Sequence, residues 1–472
     1  MKQLLFILPL AMGISSSPLA AAVDRTRKPQ PDPAPAASFP DYHVRRLSNG
    51  LTVFVIEDDR KPTLNLRLLV KSGSAADGEK TGLASFTAGL LNRGTQKRDA
   101  AAFAKETDFL GMRLEAMASA DSISVSAGAL TRYTAPMLEL FAEAVLTPVF
   151  PGEQFAKEQK KALSTLEAER QEPDRLAGKL SARVLYGAHP YGAVSTPESV
   201  RAISREDLVR FHSTHFRPNN ATLAVVGDVK CDQILPQLEA ALGKWEKAEV
   251  PVPQPPAPHP LSGVKVHLLD RPGSVQSNIV VAKAGPARNS GPIPELNVLN
   301  ATLGGGFSGR LFQNLREKNG WTYGAYSSFD PRKLLGAFQA GAETRNEVTH
   351  LAITEILKEM DRLQKEPIPE AELELQRQYN VGNYLLSLES PGRTAQRVQD
   401  MDLYGLPDDF YKTYARRMES VTAAHAQELA ARFLAPENVA VIVVGEARQI
   451  RAALEKIGPV TVYDADLKPE AP

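Results

Sequence analysis

The chain has 472 residues, enough for two to four domains that each bury a core of their own. Lysine plus arginine and aspartate plus glutamate number 55 each, so no net field draws in nucleic acid or an anionic membrane. The single cysteine, Cys231, excludes an intramolecular disulfide framework, and the composition fits a charge-neutral enzyme or binding protein.

At the N-terminus Lys2 precedes an apolar run from Leu4 to Ile14, and the small residues Ala20 and Ala22 come next, ahead of a polar stretch. This is the pattern of a secretory signal peptide over residues 1–22. The run is shorter than the ~20 residues of a membrane span, and no later segment is long and apolar enough to be one. With a lone cysteine, the expected destination is a bacterial periplasm. Residues 23–40 continue as a proline-rich leader, extended rather than folded.

A first domain is expected over 41–248. Alternating or β-branched apolar runs predict strands at Leu51–Ile56, Leu64–Val70, Ile123–Ser126 and Leu223–Val226. The segment Met137–Leu146 predicts a helix. Of the eight histidines, only His212 and His215 are closely spaced, and the sequence contains neither H-x-x-E-H nor H-E-x-x-H. Three apart on a helix these two could meet one metal, but no glutamate lies between them and no cysteine is near. They read as helix-surface or partly packed histidines.

Pro251 to Pro260 lie in a proline-rich linker, residues 249–262, that can be neither helix nor central strand. Residues 263–466 then repeat the pattern of 41–248. Tyr186-Gly187 returns as Tyr404-Gly405, Pro218 as Pro436, Asn220 as Asn438 and Val225-Val226-Gly227 as Val443-Val444-Gly445, every pair 218 positions apart. A constant offset predicts tandem duplication of one domain. Strands at Lys265–Leu269, Asn278–Ala282 and Val439–Val444 are expected around a helix at Leu351–Leu363. Strands interleaved with paired helices point to the α+β class, each domain a sheet with helices packed on one face.

Within the second half, Gly304-Gly305-Gly306-Phe307-Ser308-Gly309 also matches G-x-G-x-x-G, with Asp330 at a tolerable distance for a ribose contact. A dinucleotide site needs a strand immediately before the glycines. Here Leu296, Leu299 and Leu303 form a helical stripe, so the turn is expected to end a helix, where glycine is favoured for its left-handed backbone.

Gly82 to Thr95, with its flanking GLA and RGT and with Phe86 and Leu91, resembles the metal helix of the insulinase/pitrilysin family of zinc metallopeptidases, the inverzincins. That helix carries H-x-x-E-H, two zinc-binding histidines one turn apart and a glutamate that polarises the bound water. The three positions here are Ser85, Ala88 and Gly89. The family's third zinc ligand is a glutamate on a helix leading to a segment similar to Tyr186–Gly192 (YGAHPYG), and it falls at Thr165. Glu167, two residues on, is rotated by about 200° and faces away. The resemblance therefore implies that this chain binds no zinc and no other cofactor.

The second half keeps another part of the pattern. Leu315 to Gly324 (LREKNGWTYG) is similar to the family's arginine/tyrosine pair, which implies that Arg316 and Tyr323 handle substrate at a zinc site. Gly304, Gly305 and Gly306 resemble a glycine-rich loop that grips substrate in noncatalytic members. The resemblance covers about residues 40 to 465 and implies two homologous α+β domains forming half of a peptidase clamshell. It further implies a zinc-less, noncatalytic subunit whose partner bears H-x-x-E-H and the zinc, with an extended peptide added to a sheet edge. The sequence leaves homodimer and heterodimer open. It also leaves open a structural scaffold or chaperone-like peptide binder, and a hydrolase using Ser85, which has no histidine and acid placed nearby in sequence.

Overall fold

The computed structural model describes residues 38–470, so the expected signal peptide and nearly all of the proline-rich leader lie outside the described residues. In the first half six strands, β1 (His43–Arg46), β2 (Thr52–Glu57), β3 (Thr63–Val70), β4 (Arg113–Ala118), β5 (Ile123–Leu130) and β6 (Ala221–Gly227), form one sheet in the order β1-β2-β6-β3-β5-β4. The second half repeats this with β7 (Val264–Asp270), β8 (Gln276–Gly285), β9 (Ala325–Asp330), β10 (Gly336–Arg345), β11 (Val439–Gly445) and β12 (Val460–Tyr463), ordered β12-β7-β11-β8-β10-β9. In both sheets one central strand, β6 or β11, runs parallel to one neighbour and antiparallel to the other. Residues 249–262 between the halves form no helix or strand.

One face of the first sheet is covered by its own helices, chiefly α1 (Leu83–Leu90), α2 (Ala100–Phe109) and α3 (Thr134–Leu146). The chain then runs through α4 (Gly152–Glu169), α5 (Pro173–Tyr186), α6 (Pro197–Ala202), α7 (Arg205–His215) and α8 (Cys231–Leu242). In the second half α9 (Ile293–Leu303), α10 (Arg310–Phe312), α11 (Thr349–Lys365) and α12 (Glu370–Leu388) precede α13 (Pro391–Tyr404), α14 (Tyr414–Glu419), α15 (Ala423–Phe433) and α16 (Ala447–Leu454). The core-facing residues of α11, Ala352, Ile353, Ile356, Met360 and Leu363, recur every three or four positions and are fully buried, as an amphipathic helix requires.

The other face of each sheet is covered by a helix from the opposite half. α5 packs across β8 and β11 of the second sheet, while α13 packs across β3 and β6 of the first. Both ends of α5 and α13 are related by the 218-residue offset, so the duplication carries an exchange of equivalent helices. Leu176, Ala177, Leu180 and Leu185 of α5 share one core with Val280, Ala282, Ile442 and Val444. Coverage on both faces explains why β6 (ATLAVVG) and β11 (VAVIVVG) are buried at every residue and show no alternation.

Polar contacts pin the exchange. Gln399 on α13 donates through Nε2 to the main-chain oxygens of Arg67 (2.8 Å) and Thr222 (3.0 Å). Ser181, its counterpart on α5, accepts from Gln339 Nε2 at 3.0 Å. The Tyr186–Gly192 segment leaves α5 and meets the second half directly: the Arg332 guanidinium lies 5.5 Å and 5.1 Å over the rings of Tyr186 and Tyr191. Phe39 stacks on Tyr411, ring centroids 5.7 Å apart. Phe39–Pro472 accordingly forms one compact unit.

Candidate functional site

α1 is set by a buried carboxylate. Asp77 accepts from the amides of Gly82 (2.7 Å) and Ala84 (2.8 Å), satisfying donors that the first turn of a helix leaves free. Burial pushes its carboxyl up to about 6, against the pull of those amides. With the helix held there, Ser85 and Gly89 are one turn apart and exposed, whereas Ala88 is buried. Ser85 lines a groove of about 770 Å³ together with Thr165 of α4, so the chain does bring these two positions to one place. Glu167 is exposed, lies outside that groove and pairs with Arg170 at 3.8 Å.

The groove's chemistry is that of paired surface charges. Lys179 Nζ donates to Glu169 at 2.6 Å, and Lys161 lies 3.4 Å from Glu158. Zinc in a catalytic site takes three nitrogen, sulfur or carboxylate ligands. Ser85 and Thr165 offer neutral hydroxyls, the Thr165 hydroxyl already donating to Lys161 O at 3.0 Å, and Ala88 and Gly89 offer no donor atom. This donor set does not suit zinc, and no step can be derived through a metal here. Among the described residues, no group of three or more His, Cys, Asp or Glu is placed to hold a metal ion.

His212, His215 and His189 are packed against neighbours. His212 lies with Nε2 2.8 Å from Val145 O, and burial lowers its imidazole to about 4. His215 is buried against Phe211, ring centroids 4.4 Å apart, and burial lowers it too. His189 accepts the Tyr191 amide at Nδ1, 3.1 Å, inside the inter-half clamp.

The second candidate set surrounds the end of α9. Gly304, Gly305, Gly306 and Tyr323 line one groove of about 580 Å³ beside β9, the outer strand of its sheet. Tyr323 is 92% exposed. Arg316 sits on a π-helical turn, Gln313–Lys318, a rare element concentrated at functional positions. It pairs with its neighbour Glu317, and its guanidinium lies 5.1 Å over the Phe312 ring, which itself lines the groove. Tyr323 and the glycines are thus gathered directly, and Arg316 through Phe312.

Comparison with known proteins gives this geometry a family. Residues 52–193 match the model of insulinase (peptidase family M16), and residues 202–380 match the model of the peptidase M16 inactive domain. The chain belongs to peptidase family M16. It is 26% identical to a zinc protease of Mycobacterium leprae, over 82% of this chain and 88% of that one. It is 24% identical to a zinc protease of Rickettsia bellii, over 76% and 86% respectively. Among solved structures, a peptidase M16 inactive domain from Pseudomonas fluorescens superposes with a TM-score of 0.81 at 26% identity, covering 86% of this chain and 98% of that one. A protease from Helicobacter pylori shares the fold at 20% identity and a TM-score of 0.79, covering 86% and 99%.

In this M16 chain the glycine turn comes after helix α9, so the strand that a dinucleotide site needs is not there. The expected reason for its glycines needs correction. Gly304 has φ −163°, outside the left-handed region. A Cβ there would stand 2.8 Å from the Ser327 amide nitrogen and 2.9 Å from Leu311. Close approach of the turn to β9 excludes a side chain, and Ser327 N donates to Gly304 O at 2.9 Å across that contact. Sequence reasoning also missed Phe307, Tyr326, Glu343 and Tyr379, which line the same groove.

Proposed function

We propose that this M16 chain is the noncatalytic, substrate-binding subunit of a periplasmic zinc metallopeptidase, serving a zinc-bearing family partner in trans. One observation carries the reading. The positions for zinc hold no ligand set, while Tyr323 and Gly305 stand open to solvent beside an outer strand. The match to the M16 inactive domain and the likeness to zinc proteases support it.

Each residue then has a task at the partner's site. Tyr323 presents its hydroxyl to the oxyanion that develops at the scissile carbonyl. Arg316 offers a fixed fork of donors to a peptide carbonyl. Freeing it from Glu317 costs at most about 1 kcal/mol, because both side chains are nearly half exposed and the pair is screened by water. The peptide lies extended along a sheet edge, held by main-chain bonds, and β9, beside Tyr323, is an outer strand of its sheet. Zinc would be held by the partner's H-x-x-E-H and would supply the activation of the attacking water.

The test is cleavage of a peptide by the reconstituted pair. Arg316→Ala and Tyr323→Phe are each expected to reduce turnover by roughly 10- to 1000-fold, the range for losing one oxyanion donor, while the complex still assembles on gel filtration. Unchanged turnover in both variants would remove the role assigned to them.

A further inference from the structure

The groove beside the glycine turn is more specific than a general peptide-gripping surface. Its walls are aromatic: Phe307 is 80% exposed, Tyr323 is almost wholly so, and Tyr379 is half exposed, though burying such rings would be favourable. Phe307 meets Phe312 edge-on, at 73° and 5.0 Å between centroids. Arg316 already places a guanidinium over Phe312, so the rim accommodates a cation on a ring face.

Glu343 is the one charged side chain lining the groove, among hydroxyls and an amide that can also accept. Glu343 on β10 is exposed and makes no hydrogen bond or ion pair among the described residues. Asn278 Oδ1 is buried there without a donor. No lysine or arginine lines the groove. Asp174, at the start of α5, lines the groove of Ser85 and Thr165, and its charge adds to burial in raising the Tyr326 phenol.

We propose that this groove is a subsite for a positively charged side chain, arginine or lysine, of an extended peptide. Ring faces attract a cation, Glu343 neutralises it, and Asn278 Oδ1 accepts one of its protons. A leucine or phenylalanine side chain would cover Glu343 and Asn278 without satisfying either, and an acidic one would be repelled. The main chain of such a peptide has a place to lie. Ser327 N on β9 is taken by Gly304 O, but Ala325, two residues earlier and facing the same way, borders the groove. The inference rests on the proposed function in taking a peptide as the ligand, and needs neither the partner nor its zinc.

The experiment is isothermal titration calorimetry of this chain alone with nine-residue peptides, end-capped and otherwise uncharged, bearing arginine, lysine, leucine or glutamate at the centre. The arginine and lysine peptides are expected to bind about tenfold more tightly than the leucine peptide, with the glutamate peptide weakest. Glu343→Gln should remove most of that preference and leave the leucine affinity unchanged. Equal binding of leucine and arginine peptides, a preference untouched by Glu343→Gln, or no binding by any peptide would overturn the proposal. A mixture that fails to cleave while this preference holds would refute the proposed function and leave the subsite standing. An active mixture without the preference would do the reverse.

Discussion

Ser85 and Gly89, one turn apart, face solvent together, as helical spacing requires, whereas the burial of Ala88 depends on how the helix packs and was not legible in the sequence. The glycine turn was legible as the end of a helix, but the reason for its glycines was not, because that reason lies on a strand more than twenty residues away. The two ends of the turn differ in consequence. A Cβ at Gly304 would collide with the β9 backbone, whereas one at Gly306 would meet only the Tyr379 ring, its hydroxyl at 3.7 Å, in ordinary contact. Gly304→Ala should therefore cost about 1–3 kcal/mol in urea unfolding, the usual penalty of overpacking. Gly306→Ala should stay within about 0.5 kcal/mol of the parent, as for a tolerated surface change. Equal losses at the two positions would show that the turn is held by something other than its approach to β9.

At the scale of elements, strands with apolar or alternating runs were readable, while the outer strands and the inner β10, whose GAFQAGAETR is mostly small residues, were not. β3, β6, β8 and β11 lie near their expected places because coverage on one or both faces forces apolar or alternating runs. β4 (RLEAMA) and β9 (AYSSFD) are outer strands with mixed faces, and their sequences carry little period. The apolar stripe of α5 announces that the helix is packed, but not that its sheet belongs to the other half. Leu180 is a direct probe of that exchange, being buried at 1% exposure in the core shared with Val280 and Ile442. Leu180→Ala should cost about 2–5 kcal/mol, and unfolding followed by two probes, one in each half, should remain a single transition. A small loss confined to the second half would mean that the exchanged helix does not couple the halves.

For the whole molecule, the duplication was visible in the constant offset, and the structure adds what it accomplishes. Exchange of α5 for α13, with Arg332 clamped over Tyr186 and Tyr191, makes one unit of two homologous halves. One half carries a groove lined by Ser85 and Thr165, with no group of three metal-ligating side chains placed together among the described residues, and the other carries an aromatic groove with Tyr323 and the glycine turn at its edge. Two such halves in one compact unit suit a subunit that receives peptide and leaves bond cleavage to another chain. The pairing with a zinc-bearing relative is therefore the claim on which the account turns. Zinc content and peptide cleavage, measured for this chain alone, for a family partner bearing H-x-x-E-H alone and for their mixture, test it most directly. The account predicts that this chain alone is metal-free and inactive, and that the mixture cleaves far faster than the partner does. Cleavage by this chain alone, with stoichiometric zinc bound, would contradict it.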